Sequence, residues 1–249
     1  IGMLASSTTS ENATGKIFAR VTNEYDDLST QAGQSKVRFA AVKRTVKDQC
    51  DGEPLCLNTA VSFEYDTLAL GGKTFGNVKR TLYEGDTSFS GDEREELTDW
   101  AIDPTTGIQR PSHTTLSGFD LATNTATLMR ERWLTHDSSG RLISEESRLT
   151  GGQGDPGNPT VTHHYDGFGN RDITTGPLGC PTTTTTDALT KTFPATVSNC
   201  LGHTTTFTWD PRFGAKLTET DPNHTPSDSI ITTYTFDKFG RLTKVVGPL

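Results

Sequence analysis

One motif constrains this chain more than any other feature. A short alternating stretch ends on Asp, a Gly follows within a few residues, and a second apolar stretch begins. Val61-Ser62-Phe63-Glu64-Tyr65 alternates, as do Thr206-Phe207-Thr208-Trp209 and Thr233-Tyr234-Thr235-Phe236, with Val161-Thr162-His163-His164-Tyr165 alternating in part. A period of two in Thr, Val and aromatic residues is the pattern of a strand with one packed face. After the Asp, Asp166-Gly167-Phe168-Gly169-Asn170-Arg171 has a near copy in Asp237-Lys238-Phe239-Gly240-Arg241-Leu242. Asp210-Pro211-Arg212-Phe213-Gly214 and Asp137-Ser138-Ser139-Gly140-Arg141-Leu142 are further copies, and Asp103-Pro104-Thr105-Thr106-Gly107 carries one extra residue. Tyr65-Asp66 reaches Gly76-Asn77-Val78 only after an insertion, Leu68 to Thr74.

These units read as strand, tight turn, strand. Asp opens the turn because its side chain accepts backbone N–H groups, and Gly supplies the positive φ that follows. One hairpin is marginally stable by itself, whereas successive hairpins extend one sheet. The separations between the Asp residues at 66, 103, 137, 166, 210 and 237 are 37, 34, 29, 44 and 27, so the grammar repeats while the length varies. The predicted fold class is therefore all-β, built from repeated antiparallel hairpins. Residues 61–249 form the repeat region, and residues 1–60 are a degenerate or irregular β segment in which Tyr25-Asp26 is a candidate repeat start. The best candidate for a short helix is 93–100, with Asp92 as its cap, although a polar strand competes there. Residues 151–159, rich in Gly and Pro, predict a loop.

Composition narrows the function classes. Of the 249 residues, 31 are acidic and 23 are Lys or Arg, a net charge of −8 that argues against a nucleic-acid groove. No run of about 18 apolar residues exists, so direct membrane insertion by a helix is not expected. The first residues lack the basic and apolar regions of an intact signal peptide. Four cysteines allow three pairings, of which the local pairs Cys50–Cys56 and Cys180–Cys200 are the simplest; either would imply an oxidising compartment.

Candidate chemistry is sparse. Repeated Asp residues at every turn argue for turn formation rather than a catalytic carboxylate pair, since one active site needs one pair. Gly72-Lys73-Thr74 resembles the end of a phosphate loop, but Thr67 stands where the first Gly is required. His163 and His164 are adjacent, so on a strand they point to opposite faces and do not chelate one metal. The segment from Asp221 to Asp228 alternates oxygen ligands but lacks the central Gly and downstream Glu of a calcium loop. No Gly-x-Ser-x-Gly elbow occurs. Asn12-Ala13-Thr14 is a glycosylation sequon, and Trp133 and Trp209 are candidates for a sugar platform, with packing along the sheet the favoured role. No catalytic residue, metal or cofactor is expected.

The aromatic-Asp-x-x-Gly-Arg/Asn units resemble the YD repeats of Rhs proteins, of the B and C components of insecticidal toxin complexes, and of teneurins. The residues carrying the resemblance are Tyr165-Asp166 with Gly169, and Phe236-Asp237 with Gly240. Trp209-Asp210 with Gly214 and Tyr65-Asp66 with Gly76 add longer forms, and Asp103 with Gly107 and Asp137 with Gly140 follow the same turn grammar. The B-component, SpvB-linked branch is the nearest in form. The resemblance implies a curved or spiralling sheet that forms part of a shell wall around a toxic polypeptide, in a bacterial protein that is secreted or at the cell surface. Its implied partners are the remainder of the parent shell, the enclosed toxin polypeptide and a toxin-delivery channel subunit. Complete shells are much longer than 249 residues, so the chain is expected to be a segment of one. The family's self-cleaving aspartates and toxic region have no counterpart here, so no enzymatic activity is expected. The alternative reading is a cell-surface adhesin module that binds carbohydrate or protein.

Overall fold

The computed structural model describes residues 3–11, 13–27, 40–66, 69–70, 73–74, 76–225, 228 and 230–248. The insertion after Asp66 is described only in part, and Asn12, Gly72, Pro226 and Ser227 lie outside the described residues, so the sequon, the phosphate-loop-like segment and the calcium-like segment are described only in part.

The chain divides into two compact units, residues 1–141 with 146–158, and residues 142–145 with 159–249. The first holds β1 (Ser6–Ser10), β2 (Ile17–Asp27), β3 (Ala40–Gln49), β4 (Leu57–Tyr65), β5 (Ala69–Leu70), β6 (Lys73–Thr74), β7 (Val78–Asp86), β8 (Arg94–Ile102), β9 (Gln109–Asp120) and β10 (Thr125–His136). β11 (Leu142–Ser147) contributes to both units. The second holds β12 (Thr160–Tyr165), β13 (Arg171–Thr175), β14 (Pro181–Thr186), β15 (Pro194–Ser198), β16 (Thr204–Asp210), β17 (Ala215–Thr220), β18 (Ile231–Phe236) and β19 (Leu242–Val246).

Among the described residues every strand register is antiparallel and, apart from β4 with β7, joins strands that follow one another in the chain. In the first unit β1 to β4 and β7 to β10 pair in sequence, with β5 and β6 forming a separate two-stranded ribbon inside the insertion after Asp66. In the second unit β12 to β19 pair in sequence. Among the described residues no register returns β10 to β1 or β19 to β12, so both ladders are open.

Residues 94–102 are strand β8, which corrects the helix expectation for 93–100. β8 lies between β7 and β9, so its backbone groups pair across both sides, and Glu95 meets Arg80. Tertiary pairing overrides helix propensity here. Both local disulfides are present, Cys50–Cys56 and Cys180–Cys200.

The same irregularity recurs near the end of alternate strands. The partner register skips one residue opposite Tyr25, Tyr65 and Trp100 in the first unit, leaving Lys43, Lys79 and Ser112 unopposed. In the second unit it does so opposite Tyr165, Thr186, Trp209 and Phe236, leaving Asp172, Ala195, Leu217 and Thr243 unopposed. A bulge of this kind re-aims the side chain beside it and increases the local twist. Where the re-aimed side chain is Tyr or Trp, it reaches back to the preceding strand segment. Tyr65 Oη donates to the Val42 carbonyl at 2.7 Å, Tyr165 Oη to Leu142 at 2.9 Å, Trp100 Nε1 to Val78 at 3.0 Å and Trp209 Nε1 to Pro194 at 2.7 Å. Tyr25 Oη makes the same contact with the Leu4 carbonyl at 2.7 Å, so residues 1–60 share this geometry.

Candidate functional site

Among the described residues, each turn of the Asp-to-Gly repeat is organised by one acceptor. Asp137 Oδ1 accepts the N–H groups of Ser139 and Arg141, both at 2.9 Å, while Oδ2 accepts Arg141 Nε at 2.7 Å. Asp237 repeats this with Phe239 and Arg241 at 2.9 and 3.0 Å, and Asp166 with Phe168 and Asn170 at 2.8 and 2.9 Å. Asp103 accepts Thr105 and Thr106, and Asp210 accepts Arg212. Asp66 closes its longer loop onto Asn77 through both backbone and side chain. Gly76, Gly107, Gly140, Gly169, Gly214 and Gly240 all have positive φ.

These contacts set the carboxylate charges. Donation from Arg141, Asn170 and Arg241 holds Asp137, Asp166 and Asp237 below the ordinary carboxylate range. Asp66 differs: it is buried, and desolvation raises its pKa despite the Asn77 N–H.

Several turns with related chemistry carry no Asp-x-x-Gly signature. Asp120 accepts Ala122 and Thr123, with Asn124 at a positive φ of 53°, and further examples lie in the second unit. Asp187 accepts Thr190, Thr192 and Phe193, and Lys191 rather than Gly takes the positive φ of 56°. This turn divides the 44-residue gap between Asp166 and Asp210. Asn199 accepts Leu201 and His203, both at 3.0 Å, as Asp does elsewhere. Gly176 to Cys180 closes with the Gly179 N–H on the Gly176 carbonyl and has no side-chain acceptor at its first position. A search for Asn-x-x-Gly would have found the Asn199 turn; the Asp187 turn has no local signal.

In the second unit the registers sort side chains into two unlike faces. One carries hydroxyls in facing rows, among them Thr185–Thr196, Ser198–Thr204 and Thr208–Thr218, each pair hydrogen-bonded at 2.6–2.7 Å. The other carries Phe207, Trp209 and Tyr234. Phe193 stacks on Trp209 with centroids 5.3 Å apart, and Lys216 Nζ lies 4.8 Å from the Tyr234 ring centroid. Among the described residues of this unit no apolar side chain is fully buried; Ala60, Leu82 and Phe119, which are buried, belong to the first unit.

In the first unit charged side chains run across the strands. Arg44 makes a bidentate contact with Glu84, which Ser62 also contacts, and Arg80 bridges Glu64 and Glu95. His113 bridges Asp99 at 2.9 Å and Glu131 at 2.8 Å, stacks on Trp133, and shares Glu131 with Arg148. Partial burial pulls the His113 pKa down, but its two carboxylates outweigh that effect and leave it raised. The bridge therefore adds stability below the unfolded value near 6.5 and loses it as pH rises through the higher folded value. The Tm advantage of the native chain over His113→Gln should be largest near pH 5 and shrink towards pH 8. A difference constant across that range would show that the bridge stabilises nothing through its charge.

The remaining sequence candidates occupy separate places. His163 contacts Thr174, whereas His164 contacts Asp172, on opposite faces of β12. Among the described residues no group of three or more His, Cys, Asp or Glu side chains is placed to hold a metal ion. No helix among the described residues is long and apolar enough to cross a membrane.

No protein-family model matches the chain, and no curated protein matches it. Among solved structures, it is similar to a chain of the crystal structure of TcdB2-TccC3-Cdc42, at 14% identity and a TM-score of 0.45. It is likewise similar to a chain of TcdB2-TccC3-TEV, at 15% and 0.47, and to one of the Photorhabdus luminescens Tc holotoxin pore carrying TccC3-D651A, at 13% and 0.46. In each case 97% of this chain is covered, and it spans 12–13% of the chain it matches.

Proposed function

We propose that this chain is a wall segment of a YD-repeat shell in an exported toxin protein of Rhs or toxin-complex type, and that its role is to enclose a polypeptide rather than to turn over a substrate. The observation that carries this reading is the aromatic face of the second unit. Phe207, Trp209 and Tyr234 line up across hairpins, and no apolar side chain of that unit is fully buried among the described residues. A free-standing sheet buries one face against a second layer. A wall instead offers that face to whatever it encloses. The bulge opposite Tyr25 supports treating residues 1–60 as a degenerate start of the repeat region that continues through 61–249.

Containment further implies partners: the rest of the shell, the enclosed chain and a delivery-channel subunit, in a secreted or surface-exposed bacterial protein. The six repeat Asp residues serve this role as turn formers, with Asp66, Asp103 and Asp137 in the first unit and Asp166, Asp210 and Asp237 in the second.

Cryo-electron microscopy of the longest natural protein containing these residues tests the reading. The expected result is a lumen lined by Phe207, Trp209 and Tyr234, holding density for a second, largely unfolded segment. A second sheet or helix layer packed on those rings, with a filled core, would remove the containment role.

A further inference from the structure

A groove recurs between the tips of successive hairpins. In the second unit it lies beside the 210–215 turn and the end of β18, encloses about 500 Å³, and is lined by Phe213, Leu217, Tyr234 and Phe236. In the first unit the corresponding groove lies between the 103–108 turn and the end of β10 and encloses about 360 Å³. The two are built alike. Each has the unopposed bulge residue in its lining, Leu217 in one and Ser112 in the other, and each includes the residue that precedes the turn Asp, Phe236 or His136.

Their chemistry differs. Where the second-unit groove has Leu217 and Phe236, the first-unit groove has Ser112 and His136, and where the second has Arg212 and Lys238, the first has Arg110 and Ser138. The Arg110 guanidinium lies over Gly140, so close that a Cβ added there would come 1.9 Å from Nη2. Among the described residues Arg110 makes no hydrogen bond or ion pair, and His136 makes no hydrogen bond. The groove's two carboxylates are engaged by their own turns. Asp103 accepts Thr105 and Thr106, while Asp137 accepts Ser139 and Arg141. Both grooves hold a guanidinium, but Arg212 pairs with Asp210 at 2.6 Å, whereas Arg110 faces the first-unit groove without an ion pair and beside an imidazole that the other groove lacks. The Ser112 hydroxyl there donates to the Asp99 carbonyl at 3.2 Å.

We propose that the Arg110–His136 groove binds an oxyanion group, a carboxylate or a phosphate, with the planar Arg110 fork and an imidazole N–H as donors and the Ser112 and Ser138 hydroxyls at its margin. Asp103 and Asp137 are balanced by Arg110 and Arg141, so donor geometry rather than surplus charge selects the ligand, and affinity lies in the millimolar range. This site is independent of the containment reading.

Nuclear magnetic resonance on the labelled full chain tests it. The His136 imidazole is followed while inorganic phosphate, and separately acetate, is added at ionic strength held constant with sodium chloride. The expected result is a saturable shift of His136 with either probe, tighter binding as pH falls through the His136 pKa, and roughly tenfold weaker binding in Arg110→Gln. Saturation by acetate identifies a carboxylate ligand, such as an acidic peptide side chain, and saturation by phosphate alone identifies a phosphorylated one. Unchanged His113 and His163 signals in Arg110→Gln show that the variant is folded. A His136 shift that never saturates, or that survives in folded Arg110→Gln, overturns the site.

Discussion

Replacing Cys180 and Cys200 together by serine should lower the unfolding free energy by about 3 kcal/mol, the loop-entropy value for a bridge between residues about 20 apart. The bridge joins residues 20 apart in sequence and ties two turns at one end of the ladder, Cys180 closing the 176–180 turn and Cys200 lying within the 199–203 turn. Between those turns run β14 and β15, which carry only Thr, Pro, Ala, Val and Ser side chains, none of them fully buried. With little core to hold these strands, the covalent tie contributes a large share of their stability. The Cys50–Cys56 bridge spans only 6 residues, so its double serine variant should lose less, about 2 kcal/mol. Urea unfolding of the two variants compares them directly. If the loss for Cys180 and Cys200 were the smaller, the second unit would hold β14 and β15 by other means.

The second large effect lies where one hairpin tip packs on the next. Gly240 has φ of +79°, and a Cβ there would come 2.8 Å from Phe213 Cδ1. Gly240→Val should cost about 2–4 kcal/mol, the sum of a left-handed backbone imposed on a β-branched residue and the displacement of the Phe213 ring. Gly167, in the equivalent turn, has open space around it, and Gly167→Ala should stay within about 0.5 kcal/mol of the native chain. Chemical denaturation of both variants measures the difference. Equal stabilities would mean that Phe213 moves away freely and that consecutive tips do not depend on one another.

Turn chemistry was the most legible part of this protein. Asp137, Asp166 and Asp237 each capture N–H groups two and four residues ahead, an interaction confined to five consecutive residues and therefore present in any short window of sequence. The local cysteine pairs were legible for the same reason, since each closes a loop of at most 20 residues. Legibility failed where the usual residue is replaced. Lys191 adopts a positive φ that Gly usually supplies, and Asn199 takes the acceptor role of Asp, so the hairpins they close showed no repeat signature. The 93–100 segment failed differently. Its local composition suits a helix or a strand, and only β7 and β9 on either side decide for the strand.

The sequence alone determined the all-β class, the hairpin grammar and the turn role of the repeated Asp residues, because each depends on φ preferences and hydrogen bonds within a few residues. Tertiary structure decided the rest. The bulge opposite Tyr65, the hydrogen bond from its hydroxyl to the Val42 carbonyl, the division of the second unit into hydroxyl and aromatic faces, and the meeting of Arg110 with His136 all depend on cross-strand register. Register is fixed by the whole ladder at once, and a one-residue slip would move every side chain of a strand to the opposite face.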